Sequence, residues 1–276
     1  MEIEYLKSKE NPAVKYAKAL HKTSFSEEEN VFILEGVRII EEAVKAGLQI
    51  KTSFFTEEFY GKNADKEYFK KLVEKSEKKY FVNDNILKNL SRVETNPGIL
   101  VLINKKLITD NPDKISGNII VYFDNIKDPG NIGTILRTSL AFGIKDIIFS
   151  QKTVSAYNDK LIRSSAGAIF KTNLYHVNSV GASGRSPLLE LKNKGYKIYS
   201  TSSYAKTSVV DFDFKSPCVL IFGEEAGGVS GEIKNISDEI LKLSLKEGVE
   251  SLNVSVSAAI FMYEIARKNG LLTETS

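Results

Sequence analysis

The stretch "CVLIFGEEAGGVSGEIKNIS", Cys218 to Ser237, decides the fold. It opens as an almost unbroken apolar run and breaks at Gly223. It then turns through Gly227 and Gly228 and continues as a short helix that Ser230 is placed to cap. A strand without polar alternation is buried on both faces, which is the mark of a parallel sheet covered by helices. The same pattern repeats around it. "IIVYFDN" (119–125), "DIIFS" (146–150), "TNLYHV" (172–177), "YKIYSTSS" (196–203) and "EILKLSL" (239–245) read as strands. Helical segments at about 132–142, "NDKLIRSSAGA" (158–168) and "SPLLELKNKG" (186–195) separate them.

Upstream, a second, smaller α/β pattern is legible. A helix follows Asn11-Pro12 over about 10–21. "VFILEG" (31–36) is a strand, and "VRIIEEAVKAG" (37–47) is a helix closed by Gly47. "IKTSFFT" (50–56), "YFV" (80–82) and "GILVLIN" (98–104) are strands, with helices at about 64–78 and over "NDNILKNLS" (83–91). The polar, turn-rich "KKLITDNPDKISGN" (105–118) separates the halves. The expected organisation is a small α/β domain over 1–108, a linker over 109–117 and an α/β domain with a mostly parallel sheet over 118–276.

Composition excludes several classes. The chain has 276 residues, 42% of them hydrophobic, enough for a sizeable core. No apolar run approaches the ~20 residues that cross a bilayer, and "MEIEYLKSKE" has no apolar signal region. The lone Cys218 permits no internal disulfide and reads as a buried packing residue; a reducing cytoplasm is the simplest setting. His21 and His176 have no ligand-type neighbours, so no metal site is expected. Net charge is only +3, and neither half is strongly basic, so any nucleic-acid surface must be assembled by folding. The fingerprints of a dinucleotide enzyme (G-x-G-x-x-G) and of a P-loop NTPase are absent.

Ligands of open α/β sheets bind beyond the carboxyl ends of strands. Three such ends carry suggestive loops. In "DNIKDPGNIGTILRTSLAFG" (124–143), Asn131 is placed to cap the helix, and Gly133 lets another backbone come close. Arg137 and Thr138 interrupt an otherwise apolar helix, and Arg137 is placed to reach a phosphate near the helix start; the bland alternative is a surface arginine. In "IFGEEAGGVS" (221–230), glycines offer bare backbone, and Glu224 and Glu225 are acceptors. In "EGVESLNVSVSAAIFMYEIARK" (247–268), Asn253 caps a helix that Ser255 and Ser257 oddly continue. That helix is apolar on two stripes. One is Val254, Ala258, Phe261, Met262 and Ile265; the other is Val256, Ile260 and Tyr263. One stripe suits its own sheet and the other a second surface, such as another subunit.

Together these loops resemble the SpoU (TrmH-type) branch of the SPOUT RNA 2′-O-ribose methyltransferases. "NIKDPGNIGTILRTSLAFG" is similar to the first motif, "LIFGEEAGGVS" to the second and "LSLKEGVESLNVSVSAAIFMYE" to the third. "NPAVKYAKAL" and "VFILEGVRIIEEAVKAG" resemble the L30e-like substrate-binding domain that precedes many of these enzymes. The resemblance implies a C-terminal sheet tied in a trefoil knot, homodimers joined through it, and S-adenosyl-L-methionine held in the knot. By position it implies cofactor contacts at Gly223, Leu243 and Leu252, with Thr201 and Ser202 nearby. It implies a catalytic cluster of Arg137, Asn131, Glu225, Ser251 and Asn253, acting on RNA, with rRNA favoured over tRNA. A non-catalytic knotted RNA-binding protein and a base methyltransferase stay open as alternatives. The chain departs from the family pattern at Glu224, Ala226 and Leu243-Ser244-Leu245, and "HKTSFSEEENVF" replaces an arginine-rich stretch.

Overall fold

The structure, a computed structural model, describes residues 3–105, 107–109, 114–177 and 187–272. The chain forms two compact units, Met1–Lys106 and Leu107–Ser276. The segment read as a linker lies partly outside the described residues. Its first residue, Thr109, belongs to a two-residue strand of the second unit.

The first unit contains β1 (Glu4–Leu6), α1 (Pro12–Ala19), α2 (Thr23–Glu28), β2 (Val31–Glu35), α3 (Val37–Lys45) and β3 (Ile50–Phe55). It continues with α4 (Glu57–Asn63), α5 (Glu67–Lys75), β4 (Lys78–Val82), α6 (Asp84–Leu90) and β5 (Ile99–Asn104). The strands order as β1-β4-β3-β5-β2, mixed in direction: β4 runs parallel to β1 and β3, and β5 antiparallel to β3 and β2. On one face, Val14, Ala17 and Leu20 from the first helical segment and Ile86, Leu87 and Leu90 of α6 pack on Val31, Ile33, Phe54, Leu100 and Leu102.

Local chemistry explains the boundaries. Pro12 occupies the first turn of α1, and Asn11 Oδ1 accepts from Ala13 N at 2.8 Å. Gly47, at φ +77°, ends α3: its N–H reaches Val44 O at 3.1 Å, and Leu48 N reaches Ala43 O at 3.1 Å. The lysine- and glutamate-rich helix expected over about 64–78 is the shorter α5. Ahead of it stands α4, which the sequence pattern does not announce; Thr56 ends the β3 segment and caps α4 by accepting from Phe59 N at 3.1 Å.

The second unit contains β6 (Ile108–Thr109), β7 (Ile119–Asp124), α7 (Pro129–Ala141), β8 (Asp146–Ser150), α8 (Asp159–Ser164) and β9 (Asn173–Val177). It continues with α9 (Pro187–Asn193), β10 (Lys197–Thr201), β11 (Thr207–Ser208), β12 (Cys218–Gly223), α10 (Gly231–Ile236), β13 (Glu239–Lys242) and α11 (Val254–Lys268). The strand order is β11-β13-β10-β12-β7-β8-β9-β6, and every neighbouring pair is parallel. Helices cover both faces, as the all-apolar strands require. Leu188, Leu191 and Ile233 of α9 and α10 pack on Ile120, Ile148, Ile198, Val219 and Ile221. On the other face Phe123 meets Phe149 edge-on at 5.2 Å, and Phe222 meets Phe261 of α11 at 5.9 Å. Cys218 is buried there, and burial pushes its thiol up to about 12, as expected of a packing residue.

A parallel sheet places all its strand ends on one edge. β13, β10, β12 and β7 are consecutive neighbours, so the loops after Lys242, Thr201, Gly223 and Asp124 converge there. From β7 the chain runs through β8 and β9 on one side, then crosses to β10 on the other and returns through β12 beside β7; this change of direction opens a crevice at the switch point.

Candidate functional site

The loops after β10, β12 and β13 enclose a cavity of about 460 Å³, within the usual range for small-molecule sites. Its wall includes Thr201, Ser202, Tyr204, Gly223 through Gly228, Leu243, Leu245, and Glu250 through Val254; Phe222 and Phe261 are its buried floor.

Each wall is held by identifiable contacts. Thr201 Oγ1 donates to Ile221 O at 3.0 Å, and Ser202 N donates to Leu241 O at 2.9 Å, pinning the β10 end to both neighbouring strands. The turn after β12 closes on itself: Gly228 N donates to Glu224 O at 2.7 Å, and the two residues form an isolated bridge. A Cβ at Gly223 would overlap the backbone of Gly228 and Val229, so this glycine is required by the turn itself. At Gly227 and Gly228 a Cβ would meet nothing within 4 Å, and these residues carry the bare, accessible backbone. Ser230 stands at the start of α10 but makes no side-chain capping bond. Its N–H instead donates to the buried carboxylate of Asp124 at 2.7 Å, tying the β12 loop to the end of β7.

Asn131 does not cap α7. Asp128 does, accepting from Gly130 N at 2.6 Å, with Pro129 in the first turn. That bond is the main reason the Asp128 carboxyl lies below its ordinary range. Pro129 carries no N–H, so the capping residue is the one before it. Asn131, the third residue of the helix, is thereby released to work elsewhere. Gly133 behaves as expected: a Cβ there would sit 2.8 Å from the backbone nitrogen of Ser165, so α7 and α8 meet closely at this point.

The released amide joins the three loops. Asn131 Nδ2 donates to Glu225 Oε1 at 2.6 Å, and Asn253 Nδ2 donates to Asn131 Oδ1 at 3.0 Å. Asn253 Oδ1 in turn accepts from Ser255 N at 2.8 Å and Ser255 Oγ at 2.6 Å, capping α11. The order is self-consistent. An ionised Glu225 can only accept, so Asn131 must offer its NH₂ to it and its oxygen to Asn253. Asn253 must then turn its own oxygen onto the helix. Ser255, an odd helix residue by propensity, earns its place as the second donor to that cap.

The remaining expected residues fall in two places. Gly223, Leu243, Leu252, Thr201 and Ser202 line the cavity, and so does Ser251, which is exposed. Arg137 lies on the exposed side of α7 and is absent from the cavity wall. Sequence reasoning missed Asp124, Asp128 and Tyr204; Pro129 was the available signal for Asp128. The atypical Glu224 faces Lys127 Nζ at 3.4 Å, and Ser244 Oγ donates to Ser208 Oγ at 3.3 Å. Both departures are thus matched by partners in this chain. No group of metal-ligating side chains occurs among the described residues.

α11 presents both stripes seen in the sequence. Ala258, Phe261, Met262 and Ile265 are buried toward α7 and β12, while Val256, Ile260 and Tyr263 stay exposed. Among the described residues, no helix is long and apolar enough to cross a membrane.

Residues 118–263 match the SpoU rRNA Methylase family, and residues 11–101 match the MRM3-like substrate binding domain. The chain is 28% identical over 263 residues to the 23S rRNA (guanosine(2553)-2′-O)-methyltransferase RlmP of Bacillus subtilis, covering 94% of this chain and 98% of that protein. Two solved structures share the fold. The AdoMet-bound rRNA methyltransferase from Sinorhizobium meliloti superposes with a TM-score of 0.83 at 22% identity, covering 98% of this chain and 99% of the other. The SpoU methyltransferase AviRb from Streptomyces viridochromogenes, in complex with AdoMet, gives 0.79 at 24% identity, covering 94% and 98%. The architecture anticipated from the sequence, a small α/β domain followed by an α/β domain with a parallel sheet, is the one observed, and the chain belongs to the SpoU rRNA Methylase family.

Proposed function

We propose that this protein transfers a methyl group from S-adenosyl-L-methionine to a ribose 2′-hydroxyl of structured RNA, rRNA in preference to tRNA. The observation that carries this reading is the Glu225–Asn131–Asn253 chain of hydrogen bonds, which fixes three polar groups at one edge of a cofactor-sized cavity. The preference for rRNA rests on the similarity to RlmP, whose name specifies 2′-O-methylation of a 23S rRNA guanosine.

The cavity fits the cofactor chemically. Leu243 and Leu252 offer apolar contact, and the turn behind Gly223 offers open backbone at Gly227 and Gly228. With Thr201 and Ser202, these residues would hold the cofactor. When bound, S-adenosylmethionine supplies a methyl group on a sulfonium, which is already a good leaving group. The chain's own residues therefore contribute mainly position. Arg137 holds an RNA phosphate; a guanidinium stays protonated in a protein and serves as a clamp, not as a base. Asn253 and Ser251 face the 2′-oxygen and stabilise the charge that develops as its proton leaves. Glu225 locks the amide orientations on which this depends. The first unit holds RNA, and the exposed stripe of α11 is the seam of a homodimer.

Mapping 2′-O-methyl positions in total RNA with and without the protein tests the reading. New or lost sites in rRNA support it. Methylation appearing on a base in nucleoside mass analysis overturns the ribose assignment. Calorimetry showing no S-adenosylmethionine binding at millimolar concentration would leave a non-catalytic RNA-binding protein. Sedimentation of wild type against Ile260→Asp tests the seam; a monomeric wild type refutes it.

A further inference from the structure

Three tyrosines are prominently exposed among the described residues: Tyr5 at 54%, Tyr263 at 45% and Tyr204 at 91%. The first two are anchored. Tyr5 stacks on Phe81 at 4.8 Å and donates to Glu57 at 2.6 Å, and Tyr263 meets Phe142 at 5.8 Å. Among the described residues, the Tyr204 side chain has no ring contact and no hydrogen bond. Yet it is on the cavity wall, whose other two aromatics, Phe222 and Phe261, are buried.

Its backbone is well held. Tyr204 N donates to Ser202 Oγ at 3.3 Å, Ala205 N donates to Ser202 O at 3.3 Å, and Ser202 N is bonded to β13 through Leu241 O. The turn is therefore fixed while the ring projects from the rim into solvent. Lys206, two residues on, is also exposed, and Lys242 and Lys234 line the same cavity. A rigidly mounted, unpartnered aromatic ring beside cations is the chemistry that holds an unstacked nucleobase: the ring supplies a π-face to any base, and the cations offset phosphate charge.

We infer that Tyr204 is a stacking platform for a base of the RNA substrate, either that of the target nucleotide or of its immediate neighbour. The inference rests on the RNA methyltransferase reading and adds a substrate contact outside the three motif loops. The ring holds the nucleotide at the rim while its ribose reaches the Asn131–Asn253 junction. Stacking is indifferent to base identity, so Tyr204 contributes affinity and placement, and sequence choice comes from elsewhere.

The test compares Tyr204→Ala and Tyr204→Phe with wild type in two separate titrations. One is filter binding of purified 23S rRNA in the presence of S-adenosylhomocysteine; the other is calorimetry with S-adenosylmethionine alone. The expected result is RNA affinity about 5- to 150-fold weaker for Tyr204→Ala. Tyr204→Phe should stay near wild type, because the ring is retained, and both variants should bind cofactor normally. Unchanged RNA affinity in Tyr204→Ala overturns the inference. So does loss of cofactor affinity with RNA binding intact, which would make the ring a cover for the cofactor. A wild-type protein that binds no rRNA removes the rRNA reading first and this inference with it, so the two failures are distinguishable.

Discussion

Two glutamates show how one functional group serves two purposes in this chain. Glu35, in the first unit, is buried. Its carboxylate accepts from Ser91 Oγ at 2.5 Å, Arg92 N at 2.9 Å and Asn96 Nδ2 at 3.2 Å, while Asn96 Oδ1 accepts from Gly98 N at 2.9 Å and Ile99 N at 3.1 Å. The whole α6–β5 loop is thus wound around one charge. Glu225, in the second unit, is exposed and among the described residues accepts one bond, from Asn131. Both belong to polar networks that bridge distant segments. The first is closed, with its hydrogen-bonding capacity taken up inside the fold. The second is open, with capacity left at a cavity edge. Burial and saturation mark a structural network; exposure and partial saturation mark one available to a ligand.

The sharpest way to break this comparison is to delete the buried charge. Glu35→Ala leaves three donors without their acceptor and should destabilise the first unit by about 3 kcal/mol, read from denaturant unfolding. Cofactor binding by folded protein should not change; a loss there would mean that the two networks are not separate. Next in size, Arg137→Ala should lower methyl transfer by about 100-fold, since it removes a positioning contact, while S-adenosylmethionine affinity stays within about twofold. Wild-type turnover would sink the role assigned to Arg137. Glu225→Gln should give the inverse of the Glu35 result. Stability should stay within about 0.5 kcal/mol, as at other exposed sites. Transfer should fall by about tenfold, as a charge-assisted bond to Asn131 becomes a neutral one. Stability loss with full activity would assign Glu225 to the fold. The smallest effect separates two jobs of one side chain. Asn253→Ala should cost about 1 kcal/mol by uncapping α11, and Asn253→Ser should recover most of that. Neither restores the bond to Asn131, so both should remain slow in transfer assays.

Much of this was legible beforehand because it depends on neighbours in sequence. All-apolar runs such as "CVLIFG" announce buried parallel strands, Gly47 announces the end of α3, and Asn253 announces the start of α11. The two apolar stripes of α11 follow from helical spacing alone, as does their separation into a buried and an exposed face. The short pieces were not legible. α4 and β1 are too brief for a periodic signal, and β1 is a strand only because β4 lies beside it.

The candidate site divides along the same line. The sequence by itself determined which residues could take part, because polar side chains in glycine-rich loops after buried strands are readable locally. Only the tertiary structure decided what each of them does. Asn131 and Asp128 are both competent caps; the choice of Asp128 frees an amide that meets Glu225, 94 residues away, and Asn253, 122 residues away. Gly223 is required by its own loop, and Gly227 and Gly228 supply the open backbone. Caps and turns are set by bonds spanning a few residues. A site is set by strand order, and the order β13-β10-β12-β7 that gathers these loops exists only once the sheet has formed.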